Sequence, residues 1–122
     1  MTLVDTSVWV EHLRLDHPAL RDHLERGAVS VHPFVAGEIA CGSLRNRHEV
    51  LDRLDALPRA PQATAAEVRT LLERHALFGH GIGWVDAHLI ASALLANVPL
   101  WTLDRRLQVA ADAAGVAGRN DP

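Results

Sequence analysis

Apolar and polar positions along this chain follow two periods, and the switches between them mark out its elements. The run Thr2-Leu3-Val4-Asp5 is short and apolar and predicts a strand over 2–5. Val8, Val10 and Leu13 then recur at helical spacing over 7–13. Asp16-His17-Pro18 breaks that helix, and a second over 18–25 opens with proline in its first turn, where it is tolerated, and stops at Gly27. Ala28-Val29-Ser30-Val31 predicts a strand over 28–31, and a helix over 34–40 follows, with Gly42 as its stop. Val50, Leu51, Leu54 and Leu57 make 47–57 amphipathic. Thr64-Ala65-Ala66-Glu67 is a capping box that starts a helix running to about 78. After the loop Gly79-His80-Gly81-Ile82-Gly83, the stretch 84–96 is apolar almost all round and predicts a buried helix ended by Asn97. A strand over 100–103, an amphipathic helix over 105–114 and a last short strand over 115–117 complete the reading.

Short strands alternating with helices imply parallel crossovers and a sheet covered on both faces, the α/β class. With 122 residues, one domain over 1–117 and a loose tail over 118–122 are expected. No apolar run is long enough to span a membrane and no signal peptide is visible, so a cytoplasmic chain is expected. The single Cys41 reads as a small buried hydrophobe in an apolar helix.

Charge changes the picture little. The formal net charge of −3 lacks the basic excess of a typical nucleic-acid binder. Setting four carboxylates aside as metal ligands would bring the remainder to +1. All the cations are arginine, whose planar fork suits phosphate, but an arginine-rich, lysine-free composition also follows from a GC-rich genome.

Four acids stand out by position. Asp5 and Asp104 each close a short apolar run, and Glu38 and Asp86 interrupt apolar helical segments. Carboxylates are seldom buried unless paired or bound to a cation. In open parallel sheets, ligands bind beyond the carboxyl ends of the strands, where Asp5 and Asp104 fall. Capping of the following helix is the competing role for both, at about one third of the weight. Taken together, the four point to one pocket with oxygen-only donors, which favours Mg²⁺ or Mn²⁺ over Zn²⁺. Such ions activate water against a phosphodiester and stabilise the leaving oxygen. Thr6, Ser7 and Thr102 flank the acids, and their hydroxyls can hold a carboxylate, a water or a phosphate oxygen, with capping or strand propensity as the plainer role. Arg105 and Arg106 follow Asp104 and could line a phosphate path, although a solvated face is the commoner state of a single arginine.

The segments Leu3-Val4-Asp5-Thr6-Ser7-Val8-Trp9-Val10, Gly37-Glu38-Ile39, Gly81-Ile82-Gly83-Trp84-Val85-Asp86-Ala87-His88-Leu89-Ile90-Ala91 and Leu100-Trp101-Thr102-Leu103-Asp104-Arg105-Arg106-Leu107 span nearly the whole chain. In order and spacing the chain resembles the PIN-domain ribonucleases and, within them, the VapC-type toxins of bacterial toxin–antitoxin pairs. That resemblance implies a PIN-like α/β/α sandwich around a short-stranded parallel sheet and Mg²⁺- or Mn²⁺-dependent cleavage of RNA. It carries the acidic quartet onto Asp5, Glu38, Asp86 and Asp104, and the neighbouring hydroxyl onto Thr6 or Ser7. It also implies homodimers and a VapB-like antitoxin whose C-terminal segment covers the groove. Trp9, Val10, Leu13 and Leu44 could form that groove, with core packing as the alternative. A phosphoacceptor domain would need a lysine that this chain lacks, and a haloacid-dehalogenase-type phosphatase would need a second Asp two residues after Asp5, where Ser7 stands. A catalytically silent module binding RNA or a protein through the same fold is the remaining alternative.

Overall fold

A computed structural model of the chain describes residues 1–118. Its centre is β1 (Thr2–Val4), flanked in parallel by β2 (Val29–Ser30) and β3 (Leu100–Trp101), in the order β2-β1-β3. Leu3 pairs with Ser30 on one side and with Leu100 on the other. Leu3, Val4, Val29 and Leu100 are buried, as expected of strands covered on both faces. Helices α1 (Thr6–Leu15) and α2 (Pro18–Glu25) connect β1 to β2. The longer connection to β3 holds α3 (Pro33–Ala40), α4 (Arg47–Asp55), α5 (Ala65–Arg74) and α6 (Trp84–Ala96), and α7 (Arg105–Ala113) follows β3. Packing runs α1 on α2 and α3, α3 on α4, α5 on α6, and α6 against β3. This is the α/β architecture that the alternating pattern implies. Among the described residues no helix is long and apolar enough to cross a membrane.

The differences from the sequence reading have local causes. The helix expected to reach 78 ends at Arg74, because Ala76 turns to φ 51° and the Leu77 N–H bonds back to Leu72 O at 2.9 Å. That turn buries Leu77 completely, so core burial stops the helix. The strand expected over 115–117 reduces to a single parallel bridge between Leu100 and Ala117. Of the expected tail, Gly118 donates to Leu100 O at 2.7 Å, while residues 119–122 lie outside the described residues. Cys41 is exposed, contrary to expectation. Val35 and Ile39 are the buried positions of α3, and Cys41, two residues on, falls on the opposite side of the turn.

Two histidines act as helix caps. His17 Nδ1 accepts from Leu20 N at 3.4 Å, and His32 Nδ1 accepts from Phe34 N at 2.9 Å. The second bond fixes the tautomer of His32, since an accepting Nδ1 leaves the proton on Nε2. That Nε2 is buried without a partner. Burial, and then the charge of His88, hold His32 down at a pKa of about 4. Its folded pKa lies below the unfolded value of 6.5, so its contribution is complete above pH 6.5 and is lost as the pH falls through 4. The full loss is roughly 3 kcal/mol. In urea titrations between pH 7 and 4.5, the His32→Asn variant, which keeps an acceptor for the cap, is expected to lose stability less steeply than the wild type. An equal slope in both would remove His32 as a source of the acid sensitivity.

Candidate active site

Because β1 and β3 are neighbours, their carboxyl ends deliver Asp5 and the segment Thr102-Leu103-Asp104 to one edge of the sheet. The Asp5 N–H bonds to Trp101 O at 2.9 Å and locks the two ends together. Asp5 is 6% exposed, and its Oδ2 gathers three donors: Ser7 Oγ at 2.7 Å, Thr102 Oγ1 at 2.7 Å and the Ser7 backbone N at 3.4 Å. Each hydroxyl has one hydrogen, and both are directed at Asp5. The lone pairs left on those hydroxyls take backbone donors in turn: Leu103 N reaches Ser7 Oγ at 2.9 Å, and Asp104 N reaches Thr102 Oγ1 at 3.0 Å. One connected network thus ties the start of α1 to the turn after β3.

The other three acids are held in the same one-sided way. Asp104 caps α7, its Oδ1 accepting from Arg106 N at 2.9 Å and Leu107 N at 3.1 Å. Asp86 sits in the first turn of α6, and its Oδ2 accepts from Gly83 N at 3.2 Å. Glu38 Oε1 accepts from Thr6 Oγ1 at 2.7 Å. Capping by Asp5 and Asp104 is therefore real, and it engages one oxygen of each. Among the described residues, all four carboxylates have a second oxygen without a hydrogen-bond donor: Oδ1 of Asp5 and Asp86, Oδ2 of Asp104 and Oε2 of Glu38.

Burial pushes the Asp86 carboxyl above its usual range, against the opposing bond from Gly83 N–H, and the charges of Asp5, Asp104 and Glu38 push it the same way. The other three acids of the quartet are thus close enough to act on Asp86. Burial, however, is not what distinguishes the four: Asp5 is buried, Asp86 half-buried, and Glu38 and Asp104 are exposed. Glu38 shares its face of α3 with exposed Phe34, Cys41 and Gly42, so the apolar spacing around it does not mark a buried face.

The donor set is oxygen only and has the hardness that Mg²⁺ or Mn²⁺ prefers. Among the described residues, no three Asp, Glu, His or Cys side chains already converge tightly enough to hold an ion. Mg²⁺ keeps several waters and takes one or two carboxylates directly, so unengaged oxygens spread around a shared edge still fit it.

The hydroxyls expected to bind substrate face carboxylates instead: Thr6 holds Glu38, and Ser7 and Thr102 hold Asp5. Their hydrogens are already donated, which makes them positioning residues for the acids. Arg105 lines a groove with Gln108, Val109 and Asp112 on the outer side of α7. Arg106 lies beside the loop before α6, where a Cβ on Gly81 would come within 3.1 Å of its Cδ. Of the two arginines, Arg106 is the one directed toward the Asp86 loop. Of the residues considered for a partner groove, Trp9 is buried in the core, Val10 is exposed, and Leu13 and Leu44 are partly buried.

Thr102→Val tests the network, because it keeps the shape and removes the hydroxyl. It takes one donor from Asp5 and leaves Asp104 N–H without its acceptor. The expected cost is about 1–3 kcal/mol in urea unfolding. RNA cleavage is expected to fall by about 10- to 100-fold, the usual effect of losing a group that orients a ligating carboxylate.

A family model described as PIN domain matches residues 2–113, and the chain belongs to that family. Among curated proteins it is similar to Ribonuclease VapC32 of Mycobacterium tuberculosis. The identity is 46% over 118 residues, covering 96% of this chain and 95% of that protein. The match is the same for the proteins of strains CDC 1551 / Oshkosh and ATCC 25618 / H37Rv.

Proposed function

We propose that this chain is an endoribonuclease of the VapC type, the toxin of a toxin–antitoxin pair. The observation that carries this reading is the carboxylate arrangement. Each of the four carboxylates leaves one oxygen unengaged, and Asp86, raised first by burial, is raised further by the charges of Asp5, Asp104 and Glu38. The similarity to a ribonuclease over nearly the full length of both chains supports it. Asp5, Glu38, Asp86 and Asp104 would hold Mg²⁺ or Mn²⁺ through those oxygens. The ion would polarise the phosphodiester and activate water for in-line hydrolysis. The chain's own part is orientation. Ser7 and Thr102 fix Asp5, Thr6 fixes Glu38, and the helix starts of α6 and α7 fix Asp86 and Asp104. Arg106, whose side chain lies beside Gly81, would meet a phosphate oxygen.

The reading brings with it an RNA substrate in the cytoplasm, a VapB-like antitoxin and a homodimer. One observation favours the silent-module alternative: among the described residues, no three acids are already drawn together. The discriminating experiment is incubation of cellular RNA with purified protein, with Mg²⁺, with Mn²⁺ and with EDTA. Discrete fragments with either metal and none with EDTA are expected. Intact RNA in every lane, from folded protein free of antitoxin, would overturn the nuclease reading.

A further inference from the structure

The chain is poor in aromatics, with three tryptophans, two phenylalanines and no tyrosine. Trp9 and Trp101 are buried in the core. Phe34, Phe78 and Trp84 remain exposed, and two of them meet at one place. His88, 6% exposed, is wedged between Trp84, with ring centres 4.7 Å apart, and Phe34, at 4.9 Å. Both contacts are edge-to-face, at interplanar angles of 84° and 66°. His32 also packs against Phe34, at 4.9 Å, and its ring centre lies 6.3 Å from that of His88. The result is a ledge of two exposed rings, 37% and 47% accessible, both packed on buried His88, with buried His32 against Phe34 as well.

Its position ties it to the acids. Phe34 and Glu38 are one turn apart on α3, and both are exposed, so they share a solvent-facing side. Trp84 opens α6 two residues before Asp86. The ledge therefore shares its solvent-facing side with Glu38 and lies within the first turn of the helix that carries Asp86, without being one of the carboxylates.

We propose that the Phe34–Trp84 ledge stacks an unpaired nucleobase of the RNA, next to the phosphate presented to the acids. This rests on the nuclease reading. A chain of net charge −3 has little phosphate-neutralising excess with which to grip RNA. Stacking is the other large contribution to single-strand binding, it is indifferent to charge, and it needs a flat, rigid, exposed ring. A base can reach such a ring only when it is out of the helix stack, so the ledge selects loops, bulges and single strands over duplex.

Trp84 is the one exposed tryptophan of the three, so its red-side emission reports directly on the ledge. The test titrates the wild-type protein, with Ca²⁺ in place of Mg²⁺, with an oligoadenylate heptamer and with an abasic ribose-phosphate oligomer of the same length. Quenching by the first and not by the second is expected. In cleavage assays on a mapped single-stranded substrate, Trp84→Leu is expected to raise KM by about tenfold to a hundredfold with kcat nearly unchanged. Trp84→Phe is expected to recover most of that loss, and Phe34→Leu to shift KM in the same direction. Equal quenching by both oligomers, or an unaltered KM in Trp84→Leu while the wild type cleaves RNA, would overturn the ledge and leave the nuclease standing. Quenching by the co-encoded antitoxin but by neither oligomer would assign the ledge to that partner and overturn the base-stacking role. Base-dependent quenching from a wild type that cuts no RNA would keep the ledge and remove the nuclease.

Discussion

Asp5→Asn is expected to abolish RNA cleavage while leaving the fold in place. The amide oxygen can take over the site of Oδ2 and accept from Ser7 Oγ and Thr102 Oγ1, as the carboxylate does at 2.7 Å each. The amide nitrogen then stands where Oδ1 presented an unengaged oxygen. One negative charge is lost, and a donor replaces an acceptor at the point facing the other acids. A neutral acceptor makes weaker bonds than a carboxylate, so a stability loss of about 1 kcal/mol is expected. Activity is expected to fall on the order of a thousandfold, the several kcal/mol that a metal clamp supplies at about 1.4 kcal/mol per tenfold. The contrast is Asp5→Ala. It leaves two hydroxyls without an acceptor and α1 without its cap, at a cost of about 2–4 kcal/mol. Cleavage of RNA at matched Mg²⁺, read beside urea unfolding of both variants, separates the two effects. Full activity in Asp5→Asn would take Asp5 out of the site.

The elements were legible wherever local chemistry sets them. The Thr64–Glu67 capping box forms as read, with bonds of 2.8 and 3.1 Å in its two directions. Asn97 ends α6 by taking φ 54°. What the sequence could not carry is long-range. The adjacency of β1 and β3, which brings Asp5 and Thr102 together, joins residues 97 positions apart and follows from the order of the sheet. The histidine caps at His17 and His32 carry no sequence signal, because imidazole lies outside the usual capping set. The choice between Arg105 and Arg106 turns on about 100° of helix rotation at the start of α7, finer than a sequence pattern resolves. The burial that the apolar surroundings of the four acids imply holds only for Asp5 and, in part, for Asp86. What they share is the half-engaged state of each carboxylate. Its sequence signals are Thr6, Ser7 and Thr102 beside Asp5 and Glu38, and the helix-start positions of Asp86 and Asp104.

Asp86→Asn is expected to make the metal-free protein more stable and the enzyme inactive. The folded pKa of Asp86 is raised, first by burial and then by the charges of Asp5, Asp104 and Glu38. The native state therefore holds this proton more tightly than the unfolded chain does. The stability gained from that proton is present in full below the unfolded pKa and is lost as the pH rises through the folded one. At neutral pH the ionised carboxylate thus counts against the fold unless a cation offsets it. The asparagine oxygen can still accept from Gly83 N–H, which keeps the turn at the start of α6 while removing the charge. In EDTA at pH 7, the variant is expected to melt above the wild type, and the gap is expected to close as the pH falls through the raised folded pKa toward the unfolded value of 3.8. With millimolar Mg²⁺ the wild type is expected to gain stability by mass action and the variant to gain little. RNA cleavage is expected to fall on the order of a thousandfold, as for Asp5. A variant that melts with the wild type in EDTA would show that the ionised Asp86 carboxylate does not count against the fold. One that responds fully to Mg²⁺ would place the ion elsewhere. The cost of the ionised Asp86 in the metal-free state and a stabilising response to the ion are two sides of one arrangement, since a cation beside a buried carboxylate offsets the charge that burial disfavours.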